Sequence, residues 1–134
     1  MKTIHATLEI NKDGYGVWFD EIKNVWAWGE TVEKAKIDAE NALNSHIEFL
    51  KEDNDSLPKI LQGKWKLEFR FDVQSMLVFF KGTLSKSALS KATGVNSSLL
   101  SQYLMGIKKP RKAQLQKIQN GIHALGEKLL NVQL

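Results

Sequence analysis

Between Ser85 and Lys112 the chain carries hydrogen-bonding and cationic side chains in close succession and not one carboxylate. Asn96, Ser97, Ser98, Ser101 and Gln102 offer amides and hydroxyls that both donate and accept. Lys86, Lys108, Lys109 and Arg111 bracket them with positive charge. Such a set has nothing to move a proton at neutral pH and nothing to hold a divalent cation. Its chemistry is recognition, and its charge selects a polyanion such as nucleic acid, whose phosphates are neutralised by clustered Lys and Arg.

The remaining reactive residue types form no competing set. His5, His46 and His123 are scattered without metal-ligand spacing, and no nucleophile elbow is present. The chain has no cysteine, which excludes disulfides, thiolate nucleophiles and cysteine-based zinc sites. We therefore assign no catalytic residue, no metal ligand and no cofactor, and expect a binding protein rather than an enzyme. No apolar run reaches the roughly 18 residues of a membrane span, and the start, MKTIHATLEI, lacks the long apolar core of a signal peptide. A cytoplasmic location is the expectation.

Charge divides the chain in two. Residues 1–71 hold ten Lys/Arg against thirteen Asp/Glu, whereas residues 72–134 hold nine Lys/Arg against only Asp72 and Glu127. An acidic front and a basic back predict two domains with two jobs, 1–71 and 72–134.

In the front half, KTIHATLEI alternates with Ile4, Ala6, Leu8 and Ile10 on one side, the pattern of a half-buried strand. Asp13-Gly14 is the strongest turn signal before a second alternating run, YGVWFD, and VWAW makes a third strand. Thr31 is the expected N-cap of a helix to about Lys51, its apolar stripe being Val32, Ala35, Ala39, Ala42, Leu43, His46 and Leu50. KWKLEFRF supplies a fourth strand with Trp65, Leu67, Phe69 and Phe71 on one side. The order is β-β-β-α-β, and one helix covers only one face of such a sheet. Trp18, Trp26 and Trp28 are the candidates for the uncovered face, as a partner or dimer interface.

The back half reads as all-α, so the whole chain is expected to be α+β. VQSMLVFF is a short apolar helix, Ser85 caps a second carrying Ala88, Leu89 and Ala92, and Gly94 makes a tight turn. Val95 is a buried plug, and Asn96 caps a helix with Leu99, Leu100 and Tyr103 inward. Pro110 is expected in the first turn of a last helix in which Leu115, Ile118, Ile122 and Leu125 repeat, at a cost of about 1 kcal/mol for Gly121. The apolar end, Leu129, Leu130, Val132 and Leu134, is a competing dimer site.

LSKATGVNSSLLSQYLMGIKKP resembles the helix-turn-helix of phage-repressor (XRE-like) proteins. Ser90 lies four before the turn Gly94, Val95 follows it, Leu100 comes six later, and YLMGIKKP is similar to that family's Gly-x-x-x-Pro loop. The front half resembles the HicB antitoxin domain, a partial RNase H-like fold. The matching segments are DGYGVWF at 13–19 and GETVEKA at 29–35, with Lys23-Asn24 where that family usually has Pro-Gly.

The first resemblance implies that Asn96, Ser97, Ser98, Ser101 and Gln102 meet base edges in the major groove while Lys86, Lys108, Lys109 and Arg111 meet phosphates. The second implies neutralisation of a HicA-like, mRNA-cleaving toxin and repression of the protein's own operon at operator DNA. Because one helix carrying mainly serines reads few bases and the front sheet leaves an apolar face uncovered, a homodimer or higher even oligomer is also expected, joined at that face or at an edge of the sheet. RNase H-like enzymes use carboxylates near the positions of Glu9, Glu48 and Asp72, but these lack the paired first-strand aspartates of a two-metal site. A repressor whose front domain binds a small molecule or another protein, with no toxin, stays open as the alternative.

Overall fold

The computed structural model describes all 134 residues as an α+β protein with one four-stranded sheet and five α-helices. It divides into two compact units, Met1–Asp72 and Val73–Leu134, so that Asp72, counted with the basic half above, falls with the acidic one.

The first unit is built from β1 (Lys2–Ile10), β2 (Tyr15–Phe19), β3 (Trp26–Gly29), α1 (Val32–Glu52), a 3-10 turn (Lys59–Leu61) and β4 (Trp65–Phe71). The sheet order is β3-β2-β1-β4, with β1, β2 and β3 antiparallel and β4 parallel to β1. The β1–β2 connection spans residues 11–14. Its organiser is Asn11, whose Oδ1 accepts from the backbone N–H of Asp13 and Gly14 while its own N–H reaches the Gly14 carbonyl at 2.8 Å. The turn expected around Asp13-Gly14 is thus a four-residue loop closed by an asparagine side chain. Before β3, Asn24 takes φ 65°, the left-handed conformation that asparagine adopts more readily than other non-glycine residues.

Alternation puts Ile4, Ala6, Leu8, Val17, Phe19 and Ala27 on the inner face, where they are buried against Val32, Ala35, Ala39 and Leu43 of α1. Ala35 and Ala39 are fully buried, and their small side chains let the helix lie close to the sheet. Truncating Leu43 in this core would cost about 2–5 kcal/mol. Thr31 caps α1 through its side chain, accepting from Lys34 N–H. The helix packs chiefly over β3 and β2, so the inner row of β4, Trp65, Leu67, Phe69 and Phe71, is only half buried.

The second unit contains α2 (Val73–Phe79), α3 (Lys86–Thr93), α4 (Ser97–Leu104) and α5 (Lys112–Leu130) around Met76, Leu77, Leu89, Val95, Leu100, Tyr103 and Ile118. Ser85 and Asn96 cap α3 and α4. Gly94 closes α3 in the left-handed conformation at φ 75°, where any other residue except asparagine is strained. Thr93 locks the same corner, donating to the Leu89 carbonyl and accepting from Val95 N–H.

Two expectations are corrected here. Pro110 is not in the first turn of α5: the N-cap is Arg111 and the helix begins at Lys112, because Pro110 belongs to the extended approach. Leu115 is exposed rather than inward; of the apolar repeat only Ile118 is buried, with Ile122 and Leu125 half covered. Gly121 has a positive reason to be glycine. A Cβ there would lie 2.5 Å from the Ala92 carbonyl oxygen and 2.6 Å from Thr93 Cα, so its absence sets the closeness of α5 to α3. No helix is long and apolar enough to cross a membrane.

Candidate nucleic-acid interface

At 100° per residue, Ser97, Ser101, Ser98 and Gln102 occupy one arc of about 140° around α4. Ser97 and Ser98 are exposed, and Ser101 and Gln102 half-buried. Asn96 is exposed at the head of the helix, where its Oδ1 accepts from Leu99 N–H at 2.8 Å. That carboxamide is therefore a cap first, and only its NH₂ remains uncommitted. No acidic side chain stands in the first turn of α3, α4 or α5.

Cations flank the arc on both sides. Next to Ser101, Lys86 Nζ donates to Ser101 Oγ at 3.0 Å, pinning the start of α3 to α4. Beyond Gln102 lies an open cavity of about 540 Å³ lined by Leu99, Tyr103, Lys108, Lys109, Arg111, Ala113 and Gln114. Its lining joins the apolar Leu99, Tyr103 and Ala113 to three positive charges. Two backbone features shape it. The Gln102 carbonyl accepts from both Ile107 and Lys108 N–H, which turns the loop back toward α4. Arg111 caps α5 without a side-chain acceptor, at the positive end of the dipole of a 19-residue helix.

Lys108, Lys109 and Arg111 are thus brought together, whereas Lys86 stands apart on the Ser101 flank. The lining residues Ala113 and Gln114 carry no charge and no sequence signal, since only packing of the α5 start beside Leu99 and Tyr103 brings them to the site. The coupling of Lys86 to Ser101 left no signal in the sequence, since it joins residues on different helices.

In the first unit, strand pairing sets Trp18 opposite Trp26 and Trp28 opposite Gly16, on the face away from α1. Trp18 and Trp28 are 42% exposed and Trp26 73%. Trp28 is anchored at its backbone, whose N–H donates to Asp38 Oδ2 at 2.9 Å. The same face is polar over β1 and β4: Arg70 pairs with Asp20 at 3.2 Å, Thr7 donates to Asp20, and His5 Nδ1 lies 2.6 Å from Glu21 Oε2. Burial pushes the Glu21 carboxyl up, but its side-chain and backbone hydrogen bonds with His5 outweigh this and hold it below the ordinary glutamate range. Beside Trp28 a shallow groove of about 340 Å³ includes Ile37, exposed on α1 and off its apolar stripe.

No three His, Asp or Glu side chains come close enough to hold a metal ion. Glu9 projects from the face of β1 away from α1, while Glu48 is on α1 itself, so these two carboxylates lie on opposite sides of the sheet. No family model matches the chain, and no curated protein matches it.

Proposed function

We propose that this protein is an antitoxin of the HicB type, which neutralises a HicA-like mRNA-cleaving toxin and represses its own operon. In this reading the first unit is a partial RNase H-like domain that holds the toxin, and the second is an XRE-like helix-turn-helix that binds operator DNA in the cytoplasm. The observation that carries the DNA part is the α4 surface: an arc of amides and hydroxyls free of carboxylate, with Lys86 on one flank and Lys108, Lys109 and Arg111 on the other.

α4 enters the major groove along that arc. Gln102 is the strongest base reader, because its amide can bond adenine bidentately, while Ser97, Ser98 and Ser101 bond any base and discriminate weakly. Asn96, committed to its cap, contributes one donor. The basic cavity takes phosphates, aided by the N-terminal dipole of α5, and so sets register and affinity but not sequence. For the toxin part, the supports are the acidic balance of the first unit, which suits an RNA-binding and therefore basic partner, and the indoles of Trp18, Trp26 and Trp28, which offer apolar contact area.

Two measurements test this reading. Gln102→Ala should cost roughly 1–3 kcal/mol on the preferred site and relax one base position, whereas Lys109→Ala should weaken binding to all sequences and lower the salt slope by about one ion. Equal losses on operator and random DNA for Gln102→Ala would remove it from base reading. Co-expression with a HicA-like toxin should yield a stable complex and suppress that toxin's activity. Operator binding with no such complex would favour a repressor without a toxin.

A further inference from the structure

β4 closes one side of the sheet: β1 pairs along one of its edges and no strand along the other. One row of backbone N–H and C=O groups is therefore left open by the sheet, a template for a further strand. The opposite edge is defended. β3 has only four residues, α1 packs over it, and Asp38 occupies the outward N–H of Trp28. β4 is seven residues long, and Trp65, Leu67 and Phe69 beneath it are only half covered.

Charged side chains usually guard such an edge, because a second identical strand would bring like charges together. On β4 and the residue after it the outer-face charges alternate in sign: Lys66, Glu68, Arg70, Asp72. That order changes the result. With two antiparallel copies related by an axis through Phe69, Glu68 faces Arg70 of the second copy and Lys66 faces Asp72 of the second copy, each twice. An axis through Glu68 instead sets Glu68 against itself and Lys66 against Arg70, and an axis through Leu67 pairs Lys66 with Glu68 but sets Lys64 against Arg70. In-register parallel pairing sets every charge against itself. Shifting by one residue turns the apolar row to solvent. Of these, the Phe69 register alone brings opposite charges together, Glu68 against Arg70, with no like-charge pair beside them. Arg70 already holds Asp20, but its guanidinium is half exposed and has donors to spare.

We propose that β4 is a self-association edge: two copies of this chain join antiparallel about Phe69 into one continuous eight-stranded sheet. The two α1 helices then lie on the same face, and the half-buried rows of Leu67 and Phe69 cover each other. The strand order becomes β3-β2-β1-β4-β4-β1-β2-β3, which leaves Trp18, Trp26 and Trp28 at the two far ends, open to a different partner. The proposal is independent of the toxin and of DNA.

The chain's lack of cysteine makes the register directly readable. Full-length E68C and R70C proteins, mixed and mildly oxidised, should give a disulfide-linked dimer, while either alone should give almost none, since only residues 68 and 70 stand opposite each other. F69C alone should link to itself. By sedimentation, E68K should raise the dimer dissociation constant about ten-fold, as two attractive cross-strand pairs become repulsive, and E68K/R70E should recover most of the loss. Positions 68 and 70 are exposed and position 69 is half buried, and circular dichroism checks that each variant folds. A chain that stays monomeric at 100 µM, a dimer unaffected by E68K, or a dimer that forms with no E68C–R70C link would each overturn the proposal.

Discussion

Gly121 illustrates how one residue is understood only when its neighbours are seen. By helix propensity it is a defect, yet a Cβ there would meet the backbone of Ala92 and Thr93, which has no rotamer to move away. Gly126, five residues on in the same helix, has nothing within 4 Å. The two glycines predict opposite outcomes. Gly121→Ala should destabilise the second unit by about 1–2 kcal/mol, overpacking outweighing the propensity gain, whereas Gly126→Ala should stabilise it by about 0.5–1 kcal/mol. Thermal melts of the two variants check this pair.

Glu21 gives a pH-dependent counterpart. Its carboxyl is held below its unfolded value, so the His5 interaction contributes stability above roughly pH 4.3, and that stability is lost as pH falls through the depressed folded value. Glu21→Gln should therefore lower the melting temperature at pH 6, with the difference from wild type shrinking toward pH 3. The effect will be small, because both side chains are about one-third exposed.

At the scale of elements, the local signals that carry their own physics were legible. Alternation placed Ile4, Ala6 and Leu8 inward on β1, and Thr31, Ser85 and Asn96 each cap the helix that follows. What was not legible depended on neighbours distant in sequence. The start of α5 at Lys112 rather than Pro110, the exposure of Leu115 and the placement of α1 toward β3 follow from packing, not from periodicity. Of the candidate contact residues, Lys86 was read as extended toward phosphate, while its bond to Ser101 ties α3 to α4. Because the second unit has its own core in Leu77, Leu89, Val95, Leu100, Tyr103 and Ile118, a fragment of residues 73–134 should retain a helical spectrum and bind DNA weakly, as a single copy. Operator binding by residues 1–72 instead would reverse the assignment of roles.

For the whole molecule, the boundary at Asp72 sharpens the division of charge: ten Lys/Arg face fourteen Asp/Glu before it, and nine face one after it. Under the proposed function, opposite charges on the two units would let one chain bind a polyanion and a basic protein at separate surfaces. The tryptophans follow the same division. All four, Trp18, Trp26, Trp28 and Trp65, belong to the first unit, and the second has none. Intrinsic fluorescence excited at the indole band is thus silent about α2 to α5 and reports on the sheet alone. Three of those indoles are partly exposed on the open face, Trp26 the most, so their emission starts from a partly hydrated, red-shifted state. A ligand that lands there shifts the spectrum to the blue, and one that lands on α4 leaves it unchanged, which gives the unlabelled chain a built-in gauge of which unit is occupied.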